Sequence, residues 1–183
     1  MNTHISINVH DHRRLRHFVC VVLLTVCVFV VSAPTSAHGA NQKYRNQKGT
    51  VLLGVGLGLL VGSGGSTSLG VGANVGYAVF HGVVPGVRAL TFFGGDFIAE
   101  TAATLTLTPP IKTYVVPYLD LELGGRFDNI GNGVLYGGGL GVFLGRISAK
   151  YALKLGYLYR KINYGDGLLV NDSRPSLSIA LTF

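Results

Sequence analysis

Seven of the ionisable side chains in this sequence have types and spacings that could form ion pairs or hold a charged ligand. They are Arg88, Glu100, Asp120, Glu122, Lys150, Lys154 and Arg160. Residues an even number apart share one face of an extended strand. Opposite charges on a face shielded from water must pair, because an isolated buried charge is costly. We therefore expect a structural ion-pair network, with a ligand or ion path as the alternative.

Other catalytic and binding chemistries have weaker support in the sequence. Hydrolysis by a Ser and His pair needs both within hydrogen-bonding reach, yet only His38 and His81 follow the first 37 residues, and neither lies on a predicted strand. No Cys or carboxylate accompanies them at metal-ligand spacing. The run Gly54-Val-Gly56-Leu-Gly58 lacks the spacing and the following helix of a dinucleotide loop. We expect no enzymatic activity, no cofactor and no metal.

The elements that must position these charges are strands. From Thr50 onward apolar side chains recur at every second position in segments of about ten residues, separated by Gly, Pro, Asn, Asp or Ser clusters. The predicted strands are 50–61, 67–79, 86–94, 99–108, 112–124, 134–144, 148–160 and 175–183. This pattern predicts an all-β fold, an eight-stranded antiparallel up-and-down transmembrane β-barrel occupying residues 49–183.

The two faces of the predicted strands differ sharply. One face is apolar throughout and carries no charge, whereas the other carries the seven charges together with many Gly, Ala, Ser and Thr residues. In a soluble barrel the polar face meets water and would be highly charged. In a transmembrane barrel the apolar face meets lipid and the polar face lines the lumen. The sparse charge favours the transmembrane arrangement, with a narrow lumen filled by side chains.

The N-terminus has the pattern of a cleavable signal helix. Arg13, Arg14 and Arg16 precede the apolar run 18–31, which is shorter than a membrane-spanning helix, and small residues follow it. We expect cleavage after Ala37, with Ala33 as the other candidate site and a retained membrane anchor as the alternative. Residues 38–48 then form a polar periplasmic arm. Both cysteines lie within the signal, so the mature chain would have no disulfide.

The composition limits the classes of partner. The chain has 183 residues, of which 48% are hydrophobic and only 13% charged. Removing residues 1–37 leaves 12 basic and 7 acidic side chains, a net charge of +5. The basic residues are scattered rather than clustered, which argues against nucleic-acid binding.

The C-terminus carries a more specific signal. Ile179, Leu181 and Phe183 alternate with small residues, and the last of them is a terminal aromatic. Together with the eight strands, this resembles the small eight-stranded outer-membrane proteins of the OmpX and OmpA-barrel kind, over residues 49–183 and in architecture only. The resemblance implies export to the outer membrane of a Gram-negative envelope and recognition of these three residues by the barrel-assembly machinery. One departure is the absence of Trp.

The longest predicted connections are 125–133 and 161–174, on the side expected to face outward. They contain Arg126, Asp128, Lys161, Asp166, Asp172 and Arg174. We expect these residues to contact lipopolysaccharide or other surfaces, and by resemblance a monomeric, non-enzymatic protein that acts in envelope integrity or adhesion. The alternatives are a narrow, porin-like conduit for small hydrophobic molecules and a lipid A-modifying enzyme.

Overall fold

The structure, a computed structural model, describes residues 46–61, 67–94, 97–145, 150–165 and 167–183. The predicted signal peptide, most of the predicted arm 38–48 and Asp166 lie outside the described residues. Among the residues that are described, no helix is long and apolar enough to cross a membrane.

Eight antiparallel strands form a closed barrel in which each strand pairs with the next and β1 pairs with β8. The predicted fold class, an eight-stranded up-and-down barrel, is confirmed. The strands are β1 (Val51–Val61), β2 (Thr67–Tyr77), β3 (Val83–Phe93), β4 (Ile98–Leu107), β5 (Val115–Asp128), β6 (Gly131–Leu144), β7 (Tyr151–Asn163) and β8 (Leu169–Thr182).

Alternating side chains explain why these segments are strands with one buried face. In β5, side chains alternate strictly between exposed and buried from Val115 to Leu123. The buried positions face the lumen and include Tyr118, Asp120 and Glu122, whereas the exposed ones are aliphatic apart from Pro117. Closure of the sheet leaves no free edge along most of its length. The barrel therefore has a polar inside and an apolar outside, as the alternation predicts.

The barrel has two distinct ends. At the terminal end the chain enters β1 and leaves β8, and the connections β2–β3, β4–β5 and β6–β7 lie there. The opposite end, the loop end, carries the connections β1–β2, β3–β4, β5–β6 and β7–β8.

The predicted long connections at the loop end are wrong, because most of their residues belong to strands. β5 continues to Asp128 and β6 begins at Gly131, so only two residues connect them. The Asp128 carboxylate accepts hydrogen bonds from the backbone N–H groups of Ile130 (3.0 Å) and Gly131 (3.3 Å), which stabilises this short turn. The predicted segment 161–174 likewise shrinks, since β7 continues to Asn163 and β8 begins at Leu169.

Apolar side chains fill the lumen toward both ends. A plug at the terminal end consists of Leu52, Ala78, Val84, Val116, Tyr118, Phe143, Ala152 and Ala180. Toward the loop end lie two smaller clusters, of which one contains Ala102, Leu135, Ile162 and Tyr164, and the other Leu90, Phe92 and Ile98. Part of the charged network thus lies between these apolar groups, whereas Arg126 and Asp128 lie nearer the loop end than Ala102 and Leu135.

Close approach of β4 to β5 requires a glycine at position 124. A Cβ there would lie 2.0 Å from the carbonyl oxygen of Thr101, far inside contact distance. We expect Gly124→Ala to lower the free energy of unfolding by about 1–3 kcal/mol, the usual cost of overpacking, when unfolding by urea is measured in detergent micelles. At Gly125 the nearest atoms, in the Phe127 ring, are 3.6 Å away, so Gly125→Ala is the matched control. Equal effects of the two substitutions would contradict this account.

Candidate functional site: the lumenal charge network

Five strands position charged side chains in the lumen. β3 supplies Arg88, β4 supplies Glu100, and β5, β7 and β8 supply the remainder. The lumenal carboxylates are Glu100, Asp120, Glu122, Asp128 and Asp172, and the basic side chains are Arg88, Arg126, Lys154, Arg160 and Arg174. Five negative groups thus face five positive ones, so these ten groups carry no net charge.

The pair nearest the terminal end is Lys154 with Asp120. The Lys154 ammonium lies 2.6 Å from one Asp120 carboxylate oxygen, and the Thr106 hydroxyl donates to the other at 2.6 Å. The same ammonium lies 4.3 Å from the centre of the Tyr118 ring, a cation–π contact with the apolar plug. Each charge-bearing oxygen of Asp120 therefore has a partner, as burial requires.

Arg160 is the centre of the network. Its side chain is 0% exposed, and its guanidinium donates to both oxygens of Glu100, at 2.9 and 3.1 Å. It also bonds Asp172 and lies 3.6 Å from Glu122. Glu122 in turn is held by a two-point contact with Arg88. Planar bidentate pairs of this kind are among the strongest protein hydrogen bonds. Arg160 thus contacts three carboxylates from three different strands.

Arg174 and Arg126 extend the network toward the loop end. Arg174 donates to Glu100 at 2.7 Å and stacks on the Phe92 ring, with 4.4 Å from the guanidinium carbon to the ring centre. Arg126 bonds Asp128 at 2.8 Å and lies 3.7 Å from Glu100. Three guanidinium groups thus surround the single carboxylate of Glu100.

The member of the network nearest the loop end is Tyr164, which follows β7 and donates a hydrogen bond from its hydroxyl group to Asp128. Burial, followed by this hydrogen bond, raises the pKa of the Tyr164 hydroxyl above its usual value. The phenol therefore keeps its proton and remains a donor at physiological pH, where Asp128 also accepts from Arg126 and from the β5–β6 turn.

The predicted ion-pair network is present, but its membership differs from the prediction in several places. Six of the seven predicted residues, all but Lys150, lie in the lumen and form ion pairs with one another or with the added members. Lys150 is exposed and precedes the first residue of β7. It lies four residues before Lys154 and would share its face in a continuous strand. Alternation does not fix the direction of a side chain that lies before the strand begins.

The five described residues of the predicted outer-loop set all lie in strands, so that prediction is wrong, and three of them are buried inside the lumen. Arg126, Asp172 and Arg174 lie in strands with side chains 8%, 7% and 3% exposed, inside the lumen. Asp128 ends β5 and is bonded within the network, and Lys161 lies on the outer face of β7, on the same parity as Tyr159. The sequence feature that locates the three residues is the alternation of positions along each strand. Arg126 continues the alternation of Asp120 and Glu122, and Asp172 and Arg174 that of Ser176 and Ser178.

A cavity of about 80 Å³ lies beside the network. One wall is formed by small residues, Gly54, Gly56, Gly58, Gly72, Ser176 and Ser178. The opposite wall carries the Arg88–Glu122 and Lys154–Asp120 pairs, and Arg174 closes one side. Glycine on β1 and β2 thus leaves room that the larger side chains of the later strands fill only in part.

Two residues that line this cavity, Asn74 and Arg174, each have a buried polar atom without a hydrogen bond. They are the Asn74 side-chain oxygen, Oδ1, and the Arg174 nitrogen Nη1, which lies 3.7 Å from the Asp172 carboxylate. Such groups are costly unless something else satisfies them. Within the described residues, no cluster of His, Cys, Asp and Glu has the arrangement of a metal site.

No family model and no curated protein matches this chain. Among solved structures it is similar to the N-terminal β-barrel domain of Pseudomonas aeruginosa OprF, with 11% identity and a TM-score of 0.58 over 74% of this chain and 98% of that one. It is also similar to Neisserial surface protein A, with 15% identity and a TM-score of 0.54 over 73% of this chain and 96% of that one. The architectural resemblance to small eight-stranded outer-membrane barrels is therefore confirmed, and at these identities it concerns the fold.

Proposed function

We propose that this protein is an outer-membrane barrel with a plugged, ion-paired lumen, which acts in envelope integrity. The observation that supports this is the inversion of polarity. Large apolar side chains on the outer face are widely exposed, among them Leu140 at 68% and Leu123 at 62%, whereas ten charged groups lie inside. Such a surface is unfavourable in water and suited to hydrocarbon.

A role in surface contact has less support than the sequence suggested. With Arg126, Asp172 and Arg174 in the lumen, fewer charges remain to contact a surface from the loop end. Lys161 is a candidate contact for lipopolysaccharide, because it lies on the outer face near the loop end, paired across the strands with Tyr136 and Asn171. Lysine and tyrosine side chains on the outer face near the membrane surface can place their polar ends beside phosphate-bearing headgroups. Binding to lipopolysaccharide and to the barrel-assembly machinery through Ile179, Leu181 and Phe183 stays a prediction.

The alternatives of a conduit and an enzyme have less support. A conduit for hydrophobic molecules would need an open apolar path, whereas ion pairs cross the described lumen and apolar clusters occupy it toward both ends. A lipid A-modifying enzyme would use a histidine at the outward end. His81 lies in the exposed β2–β3 connection at the terminal end. Unchanged lipid A in cells that produce the protein would agree with a non-enzymatic role.

Conductance tests the plugged lumen directly. We expect the folded barrel in a planar bilayer to give no steady single-channel current, because ion-paired and apolar side chains together fill the lumen. Folding is checked beforehand by gel mobility, since the unboiled protein should migrate apart from the boiled one. Steady conductance would contradict the plug and favour the conduit. Recovery of the mature chain as a monomer in water without detergent would contradict membrane insertion.

A further inference from the structure

The charged side chains outside the lumen all have one sign in the described part of the chain. The five acidic side chains that the structure describes belong to the lumenal network, where five basic groups balance them. Four described lysines lie outside that network, namely Lys48, Lys112, Lys150 and Lys161. All of them except Lys161 lie at the terminal end, and those three side chains are exposed. We call Lys48, Lys112 and Lys150 the basic rim.

Backbone hydrogen bonds join the segments that carry the basic rim to their neighbours. The Gly82 N–H group in the β2–β3 connection donates to the carbonyl oxygen of Asn46, before β1, at 2.9 Å, and the Gly82 carbonyl accepts from the residue that follows β4 at 2.7 Å. The Gly145 N–H group donates to the carbonyl oxygen of Tyr114 at 3.0 Å, and the Lys150 carbonyl accepts from β8 at 2.7 Å. The lysines of the basic rim are therefore carried by connected segments around one end of the barrel.

Exposed aromatic side chains accompany the basic rim. Tyr114 lies two residues after Lys112, Tyr151 directly follows Lys150, and both tyrosines are 66% exposed. Phe80, in the β2–β3 connection, is 64% exposed. Tyrosine suits the boundary between membrane and water, because its ring is apolar and its hydroxyl group is polar. A lysine beside such a tyrosine can extend its ammonium group to the level of the lipid headgroups.

We propose that the basic rim binds the headgroups of anionic phospholipids in the membrane leaflet at the terminal end. The lysine ammonium groups attract the lipid phosphate, and no described acidic side chain outside the lumen opposes them. A zwitterionic lipid such as phosphatidylcholine gains less, because its own cation balances its phosphate. The inference rests on the proposed membrane location and goes beyond it, since that location by itself selects no lipid.

Native mass spectrometry of the detergent-solubilised barrel with equimolar dimyristoylphosphatidylglycerol and dimyristoylphosphatidylcholine tests the basic rim. We expect the parent to retain phosphatidylglycerol about fivefold over phosphatidylcholine, the effect of one lysine near an anionic surface. The triple variant Lys48→Gln, Lys112→Gln, Lys150→Gln should retain the two lipids equally. The matched control replaces the same three lysines with arginine, which keeps the charge and should keep the preference. Gel mobility confirms that each variant is folded.

Lys161→Gln tests whether the preference arises at the terminal end, because Lys161 lies near the loop end. This variant should keep most of the preference, and losing it as completely as the triple glutamine variant would overturn the proposal. Equal retention of the two lipids by the folded parent, or loss of the preference in the arginine variant, would also overturn it. If the parent has no lipid preference but binds soluble polyglutamate through the same lysines, the partner is an acidic polypeptide instead. None of these outcomes affects the proposed membrane location, which recovery of the chain in water without detergent tests separately.

Discussion

Replacing Arg160 with methionine is expected to lower the free energy of unfolding by about 3–5 kcal/mol, the usual cost of breaking a buried ion pair from one side. The guanidinium is fully buried and contacts Glu100, Asp172 and Glu122. Without it, three carboxylates from three strands lose a shared partner in a space that water does not reach freely. Urea unfolding in detergent micelles or lipid vesicles, followed by circular dichroism and gel mobility, measures the change.

The neighbouring residue provides the control for this substitution. Lys161 follows Arg160 in β7 but lies on the outer face and is partly exposed. Lys161→Met makes a closely related change, loss of a cation to the same side chain, and should alter the free energy of unfolding by less than about 1 kcal/mol. If the two variants proved equally stable, the lumenal network would not be a main source of stability.

An arginine placed at Leu140 is expected to lower the free energy of unfolding from lipid vesicles by about 2–4 kcal/mol, the cost of a basic side chain on the lipid face at mid-depth. Leu140 is 68% exposed and lies opposite Leu119 and Tyr157 on the neighbouring strands. Its position near the middle of the apolar face would place the charge in hydrocarbon. In a barrel surrounded by water the same substitution would carry no such penalty.

The depth dependence of this cost is the internal control. Leu169 begins β8 at the loop end and is also exposed. Leu169→Arg should cost about 0–1 kcal/mol, because its side chain would lie near the membrane surface. A Leu140→Arg protein as stable as the Leu169→Arg protein would contradict lipid contact of the outer face and, with it, the proposed location.

Much of the fold could be predicted from local pattern. The alternation of apolar and polar residues specifies which side chains share a face, and eight repeats of that pattern specify eight strands. The same parity placed Asp120, Glu122, Lys154 and Arg160 in the lumen correctly. It misplaced Lys150, because this residue lies before the first residue of β7, where alternation does not fix the direction of a side chain. It also missed Arg174, because a stretch rich in Asn, Asp and Ser predicts a loop, although Asp172 and Arg174 alternate with their neighbours as in a strand.

The sequence by itself determined the architecture of this protein, because side-chain direction in a strand depends only on position along the chain, with a period of two. The tertiary structure alone decided which charges meet and where the strands end. Arg160 and Glu100 are 60 residues apart and are brought together by barrel closure and register. The same register ends the β1–β8 ladder at Gly58 and Ser176. These are long-range properties, fixed by how all eight strands fit together.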